Sequence, residues 1–467
     1  MSTLLLALRN LLRNRRRSLA TLLTMVVGLT AILLFGGYRS NIQYGSLTGF
    51  VQFTGHLQVQ RSGYFEEGSD NPAAYGIRDY AALMARLRQD AQLGPLLNEV
   101  TPALQLGGIA GRFAANVSRS VLVNGVDAAA RNRMLRWNEY GVVSYAQPLA
   151  LEDRTADSVV VGQGVARKLR LCGLLPVGMP CTQPAADSNT SHGGSDNTPA
   201  ELAALSQQEA VPAGAGAAAN RIELLAASQR GAPNVASLRV VKATNMGIKA
   251  LDDLYMAMHL QQAQALVYGR DTPQVTAILL QLHRTADIDK ARPRIRTLLA
   301  QHGGGQDLTV LDFRQLNPMY EQTSQFMDSM FGFIAMLIGV IVLFTLGNTM
   351  SSAVVERTSE IGTLRALGLR RAGIRRLFLC EALLLGLAGV VLGVLAALAV
   401  AALINNSGWR WTPPGYAYAY LILVRVGQDL PLLLGSVSGM LGVTLLSAWW
   451  PARRAARQQI VDALRHS

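Results

Sequence analysis

The sequence is poor in charged residues and in the side chains that usually bind metals. Only 16% of its 467 residues are Asp, Glu, Lys or Arg, and it has three cysteines and six histidines. No Cys or His pair has ligand spacing, so we predict no metal site. The G-x-x-x-x-G-K-[ST], H-E-x-x-H and G-x-S-x-G motifs are also missing. We therefore expect no catalytic residues and no bound cofactor in this chain.

Charge is missing altogether from four long apolar runs. Each run reaches the roughly 20 residues that span a bilayer core about 30 Å thick. Four buried core helices of this length without charge would be exceptional, so we predict four transmembrane α-helices. The runs cover residues 18–38, 329–355, 382–409 and 430–452.

The basic residues cluster beside these runs. The chain has a net charge of +13, and residues 1–17, 356–378 and 451–467 together hold 15 arginines against three acidic residues. Positive charge flanking membrane spans marks the cytoplasmic side, so both termini and the middle loop are predicted to be cytoplasmic. This distribution also argues against a nucleic-acid partner, which would need the charge on a folded domain.

The predicted organisation follows from the spans and their flanks. The first span could be a cleaved signal peptide, but its apolar run is too long and lacks a small-x-small cleavage site, so we interpret it as an uncleaved anchor. The amphipathic residues before it are expected to lie along the anionic inner leaflet, with membrane lipids as partners. The boundaries are a cytoplasmic amphipathic helix at 1–17, transmembrane helices at 18–40, 326–355, 379–404 and 430–450, a periplasmic domain at 41–325, a cytoplasmic helix at 356–378, a periplasmic loop at 405–429 and a cytoplasmic tail at 451–467.

The large outer segment has the patterns of a mixed α/β domain. Two βαβ-like units are predicted at its ends, with strands and helices at 56–60, 79–89, 100–106, 274–283, 287–302 and 308–312. Between them we predict strand-like stretches at 120–127 and 237–244 and a helix at 253–267. The 159–171 stretch places Gly162 and Gly164 between a strand and a helix, and we interpret them as a tight turn because Arg167 stands where a dinucleotide-binding motif would need its third glycine. Residues 173–220 are mainly small and polar, which is typical of a solvated loop with one short helix at 200–209.

Two cysteines lie in this outer segment. Cys172 and Cys181 form a candidate disulfide, since an oxidising periplasm permits one, and the sequence leaves the bridge open. Cys380 has no candidate partner.

Glycines recur at four-residue spacing in two of the predicted spans. Gly389 with Gly393 and Gly435 with Gly439 allow close helix packing. The spacing leaves open whether these pairs form a dimer seam or are ordinary apolar filler.

The loop between the second and third spans carries apolar residues at helical spacing in addition to its arginines. Ile361, Leu364 and Leu367 would line one face of a short helix that Gly368 ends. An apolar stripe on a short charged helix favours docking into a groove on a partner protein.

These residues resemble a known family. Glu356-Arg357 with Glu360-Ile361-Gly362, then 364–368 (LRALG) and Glu381-Ala382, are similar to the signature of FtsX-like, MacB-type (type VII) permeases of ABC transporters. That family includes the lipoprotein-releasing permeases LolC and LolE and the membrane part of MacB. The 451–457 segment (PARRAAR) with 463–465 (ALR), and the 124–127 segment (NGVD), also resemble the family.

The resemblance implies a fold and a mechanism. The fold would be four transmembrane α-helices with a large mixed α/β periplasmic domain, made of porter-like and sabre-like subdomains, between helices 1 and 2. The permease would couple ATP hydrolysis on a separate subunit to periplasmic conformational change by mechanotransmission, for lipoprotein release or export of a substrate from the periplasm. The implied ATPase-coupling residues are Glu356, Arg357, Glu360, Ile361, Leu364, Arg365, Leu367 and Gly368.

The resemblance also implies partners and a location. They are an ABC ATPase dimer that binds the ATP and Mg, a second permease copy in a homodimer or heterodimer, and a periplasmic adaptor or lipoprotein chaperone. The location would be the bacterial inner membrane. A second function class stays open, in which the chain regulates a cell-wall hydrolase or senses an extracellular ligand. The outer segment of about 285 residues favours transport, because the family's signalling members have smaller outer domains.

Overall fold

A computed structural model of the protein describes residues 3–13, 15–68, 71–175, 220–302, 305–412 and 419–457. They form two compact units. Of these residues, those within 1–44, 319–411 and 420–467 form the helical unit, and those within 45–318 and 412–419 form the sheet unit.

Helices and strands are numbered in chain order over these residues. The helices are α1 (Thr3–Arg13), α2 (Arg15–Thr54), α3 (Tyr64–Glu67), α4 (Tyr80–Gln89), α5 (Ala128–Leu135), α6 (Gln163–Lys168), α7 (Lys249–Asp252), α8 (Leu260–Tyr268), α9 (Ile288–Ala300), α10 (Phe313–Leu316), α11 (Pro318–Glu356), α12 (Thr358–Ala366), α13 (Arg371–Ser407) and α14 (Leu430–Arg457). The strands are β1 (Leu57–Arg61), β2 (Leu97–Arg112), β3 (Val117–Val126), β4 (Ser158–Gly162), β5 (Arg221–Ala227), β6 (Pro233–Thr244), β7 (Tyr255–His259), β8 (Ala277–Leu282), β9 (Leu308–Asp312), β10 (Arg410–Trp411) and β11 (Tyr420–Leu421).

Four helices of the described chain are long and apolar enough to cross a membrane, namely α2, α11, α13 and α14. The predicted fold class of four such helices with a mixed α/β domain between the first two is confirmed. Each helix is longer than its predicted span: α2 continues to Thr54, α11 begins at Pro318 and α13 begins at Arg371. Charged residues end the stretch that can lie in hydrocarbon, but they leave the helical backbone hydrogen bonds intact, so a helix outlasts its span.

The core of the helical unit is built where glycines let helices approach closely. A Cβ added to Gly389 would lie 3.0 Å from Met25, and one added to Gly393 would lie 3.0 Å from Leu29. Met25 and Leu29 are fully buried in this cluster. The glycine pair on α13 is therefore used for packing against α2 of the same chain.

The sheet unit is one nine-stranded sheet, part of which closes into a barrel. The strand order is β3-β7-β4-β6-β5-β2-β8-β1-β9, and β3 also pairs with β2. The six strands from β3 to β2 thus form a closed barrel without a free edge. Its buried cluster includes Leu104, Val123, Leu224 and Met256 from four strands, together with Val165 and Leu266 from α6 and α8.

The four strands outside and bordering the barrel form an interleaved pair of βαβ units. β1 lies between β8 and β9, antiparallel to both, and β8 lies between β2 and β1. The units β1-α4-β2 and β8-α9-β9 therefore insert a strand into each other, as in a ferredoxin-like sheet. Arg294 of α9 forms a bidentate ion pair with Asp90 at the end of α4, at 2.6 to 3.1 Å. This pair holds the pKa of Asp90 down at about 2.

The predicted helix at 253–267 is wrong in its first part. Residues 255–259 form β7, which pairs with β3 and β4, and the helix begins only at Leu260. Met256, Ala257 and Met258 are fully buried in the barrel wall. A short apolar run does not by itself distinguish a buried strand from a helix. Here the segment forms a strand because its pairing with β3 and β4 closes the barrel. The predicted helix at 200–209 lies outside the described residues.

Candidate functional site

The loop singled out in the sequence forms the short helix α12 between two long helices. α12 ends in a Schellman motif, in which the Leu369 N–H donates to Leu364 O at 3.1 Å and the Gly368 N–H donates to Arg365 O at 3.0 Å. Gly368 has a φ of +96°, which residues with a Cβ rarely adopt. The glycine therefore gives α12 a fixed end and turns the chain back toward α13.

A buried ion pair anchors the start of α12. Nη1 of Arg357 donates to Oε1 and Oε2 of Glu381 on α13, at 3.0 and 3.3 Å. Asn10 of α1 completes the network, because its Nδ2 donates to Oε1 of Glu381 at 2.6 Å and its backbone carbonyl accepts from Nη2 of Arg357 at 3.3 Å. Arg357 is only 7% exposed and Glu381 3%. The network ties α1, α13 and the junction before α12 together.

A second contact joins α1 to α12 at the surface. Arg13 donates to Glu360 across 2.5 Å, with both side chains about half exposed. An exposed pair of this kind contributes little to stability by itself. It marks the side of α12 that α1 covers.

The predicted apolar stripe divides between the chain's own core and solvent. Ile361 is buried in a cluster with Val354, Ile374 and Phe378, which three alanines of α14 complete (Ala452, Ala455 and Ala456). Leu364 is half-buried against the same cluster, whereas Leu367 is 85% exposed. Ile361 thus packs against the ends of α11, α13 and α14 of its own chain, and its predicted part in coupling to an ATPase stays a prediction.

The remaining predicted residues lie around this segment. Glu356 is exposed at the end of α11, and Arg365 is half-buried near the end of α12. Arg357 belongs to the buried network and not to the surface. Sequence reasoning missed the parts of Asn10 and Glu381 in that network, although a lone carboxylate at a membrane edge near a basic loop is the signal that could have suggested an ion pair.

The 124–127 motif of the sheet unit has a structural role. A Cβ on Gly125 would lie 2.4 Å from Ala263, so glycine allows α8 to pack on β3. Asp127 caps α5 by accepting the Ala130 N–H at 3.0 Å. The motif is therefore a packing and capping element of the barrel.

The glycines at 162 and 164 also serve packing. A Cβ on Gly162 would lie 2.3 Å from the Asp252 carbonyl, and one on Gly164 would lie 2.8 Å from the same oxygen. These glycines let the β4–α6 turn approach α7.

Metal and disulfide chemistry are the last candidates. The described residues contain no group of three or more His, Cys, Asp or Glu that could hold a metal ion. Cys181 lies outside the described residues, so the bridge to Cys172 stays a prediction.

Two family models match the chain. The FtsX-like permease C-terminal model matches residues 329–460, and the MacB-like periplasmic core domain model matches residues 18–183. The first covers α12 and the helices on either side of it. The second covers α2 and the first strands of the sheet unit.

Curated relatives match at moderate identity. The chain is 34% identical over 143 residues to the ABC transporter permease YtrF of Bacillus subtilis, covering 29% of this chain and 30% of that one. It is 27% identical to the LolC transmembrane protein of a lipoprotein-releasing system from Neisseria meningitidis, covering 50% of this chain and 56% of the relative. It is also 27% identical to the macrolide export ATP-binding/permease protein MacB of Chlorobium luteolum, covering 43% of this chain and 28% of that protein.

These matches span between about a quarter and just over half of each relative's length. Among solved structures, the extracellular domain of the ABC-type transporter YknZ superposes on 55% of this chain and 99% of its own, with 12% identity and a TM-score of 0.29.

The two family models together identify the chain as an FtsX-like ABC transporter permease with a MacB-like periplasmic core domain, a multi-pass membrane protein with an extracytoplasmic domain.

Proposed function

We propose that this permease couples ATP hydrolysis on a separate ATPase dimer to conformational change in its periplasmic domain, and so drives lipoprotein release or substrate export from the periplasm. Nucleotide and Mg would bind to the ATPase, and a second permease copy would complete the transporter. The proposed location is the inner membrane, with both termini cytoplasmic.

The observation that carries this proposal is the construction of α12. Its buried side is fixed to three long helices through Ile361 and through the Arg357–Glu381 pair. Its far end presents Leu367, 85% exposed, beside a sharply defined turn. A large apolar side chain held on a rigid support and left open to solvent suits insertion into a groove of a partner.

The contacts on the buried side of α12 indicate how a displacement caused by the ATPase would reach the other helices. A partner that displaced Leu367 would move α12 as a body, because Ile361 is packed and the Schellman motif closes its end. The ion pair would pass this displacement to α13 and α1, which it joins directly. We therefore assign Arg357 and Glu381 to positioning, and Leu367 to docking.

The relatives support a transport class. Their names describe macrolide export, pyoverdine export and lipoprotein release. All three names describe export or release, which is the class of transport that we propose for this chain.

The direct test is affinity purification of the tagged full chain from its own cells, followed by identification of bound proteins and an ATPase assay in lipid nanodiscs. We expect an ABC ATPase in about equal amount to the permease, with ATP hydrolysis that depends on the permease. Recovery of the chain without any ATPase, under conditions that keep the permease dimer intact, would refute the proposal.

A further inference from the structure

The last turns of α14 have two unlike faces. One face consists of Ala448, Ala452, Ala455 and Ala456, each no more than 2% exposed. Three of these alanines pack in the cluster that holds Ile361. This face is thus committed to the inside of the helical unit.

The opposite face is aromatic and basic. Trp449 and Trp450 are 51% and 66% exposed, and the Arg453 guanidinium lies 5.7 Å from the centre of the Trp449 ring. Trp450, Arg453, Arg454 and Arg457 line a cleft of about 530 Å³. In the described part of the chain no acidic side chain forms a salt bridge with these arginines, and all three are exposed.

The position of this face in the chain sets its surroundings. The uncharged run of α14 ends at Ala452, directly before Arg453, so the edge of the hydrocarbon core falls at this turn. Trp side chains favour the headgroup level, and arginine binds phosphate oxygens with two parallel hydrogen bonds. Residues at spacings of three and four share one face of a helix, which brings Trp450 beside Arg454 and Arg457.

We propose that Trp450, Arg453, Arg454 and Arg457 form a binding site for the headgroup of an anionic phospholipid of the inner leaflet. The phosphate lies between the guanidinium groups, and the indole of Trp450 packs against the glycerol and upper acyl region. This inference needs the predicted membrane orientation but not the proposed coupling to an ATPase. The ATPase is the less suitable occupant, because the alanine face that packs with α12 points the other way.

The test is native mass spectrometry of the purified full chain, titrated with phosphatidylglycerol and with phosphatidylcholine of the same acyl chains. We expect the first phosphatidylglycerol to bind at least tenfold more tightly than phosphatidylcholine. The variant Arg454→Gln/Arg457→Gln should lose about fivefold per arginine, or about 25-fold, in phosphatidylglycerol affinity. Equal binding of the two lipids to the wild-type chain would overturn the proposal, whatever the behaviour of the variant.

The matched control is Arg375→Gln/Arg376→Gln, which removes the same charge from two exposed arginines predicted at the same membrane face. Its first phosphatidylglycerol affinity should stay within about twofold of wild type, whereas an equal loss in both variants would show a diffuse basic surface and no site. Displacement of the lipid by millimolar inorganic phosphate would show a free-phosphate site instead. Loss of ATPase co-purification in Arg454→Gln/Arg457→Gln with unchanged lipid binding would assign the face to a protein interface.

Discussion

At the scale of single residues, the Arg357–Glu381 ion pair is the most constrained contact at the start of α12. Both side chains are almost inaccessible, and Nε of Arg357 has no hydrogen-bond partner among the described residues. A buried ion pair of this kind adds little to the free energy of unfolding, because burying the two charges offsets their attraction. Removal of one partner is costly, since it leaves the other charge buried and unpaired. Its value here is positional, since it fixes where α12 begins.

A double-mutant cycle separates the interaction energy of the ion pair from the cost of leaving one buried charge unpaired. Arg357→Met and Glu381→Leu should each lower the free energy of unfolding by about 3 kcal/mol, because each leaves one buried charge unpaired. The double variant should cost much less than the sum, because no lone charge remains. Thermal unfolding of the four proteins in one detergent measures the coupling, and additive losses would show that the two groups do not interact.

His56 is a second buried residue whose state is set by its surroundings. Its ring is fully buried, its Nδ1 accepts the Leu282 N–H at 2.9 Å, and it meets the Trp137 ring edge-on at 4.9 Å. Burial lowers the pKa of His56 from 6.5 to about 3, so the folded protein keeps the ring neutral. Between these two values only the unfolded chain takes up the proton, so the free energy of unfolding falls as the pH falls.

This difference predicts acid sensitivity of the sheet unit. From about pH 6.5 down toward 3, His56 should remove up to about 1.4 kcal/mol of stability per pH unit. Melting temperatures of the wild type and of His56→Gln between pH 7.5 and 5 measure it, and the variant should show the shallower dependence. His283→Gln, at an exposed position, is the control and should keep the wild-type slope.

At the scale of elements, the exposed end of α12 can be tested apart from its buried face. Leu367→Asp places a carboxylate where we propose an apolar groove, and it does so without disturbing the cluster around Ile361. We expect ATPase stimulation to fall at least tenfold, with folding and membrane insertion unchanged.

The control for this variant is Leu251→Asp, which adds the same charge at a 43% exposed leucine in the sheet unit. It should leave ATPase stimulation unchanged. If Leu367→Asp instead binds the ATPase and stimulates it as well as the wild type does, the end of α12 is not part of the docking surface.

The barrel supplies a prediction about stability. Gly162→Ala places a Cβ 2.3 Å from the Asp252 carbonyl, which is backbone and cannot rotate away, so we expect a loss of about 1–3 kcal/mol. Gly107→Ala meets nothing within 4 Å and should be near neutral. Chemical unfolding of both variants makes the comparison, and equal stabilities would contradict the close approach of α7.

Local sequence patterns predicted the positions of helices and strands better than they predicted which strands pair and which residues meet. The strand at Leu308–Asp312 and the helix at Tyr80–Gln89 follow from periodicity, because each has one buried face. The interleaving of the two βαβ units and the closure of β2 on β3 depend on pairings between residues far apart in the chain, which periodicity does not encode. For the same reason the sequence suggested α12 but not its tie to Asn10, which lies 371 residues from Glu381.

At the scale of the whole molecule, charge distribution predicts which parts face each side of the membrane. In a background with all three native cysteines replaced by serine, Ser118→Cys on β3 should react with a membrane-impermeant maleimide in cells with a permeabilised outer membrane. Ser359→Cys on α12 should react only after the inner membrane is opened. Both positions are exposed in the structure. Labelling of Ser359→Cys in cells with an intact inner membrane would reverse the proposed orientation.

The closed barrel has a practical consequence for anyone who wishes to modify this protein. Each of its six strands is hydrogen-bonded on both sides by other described strands. The turn between β5 and β6 is exposed at Arg230, Gly231 and Ala232, and these three residues belong to neither strand. An insertion at this turn leaves the hydrogen-bonded ring whole, so it is the natural place to insert an epitope or a fluorescent reporter into the full-length chain.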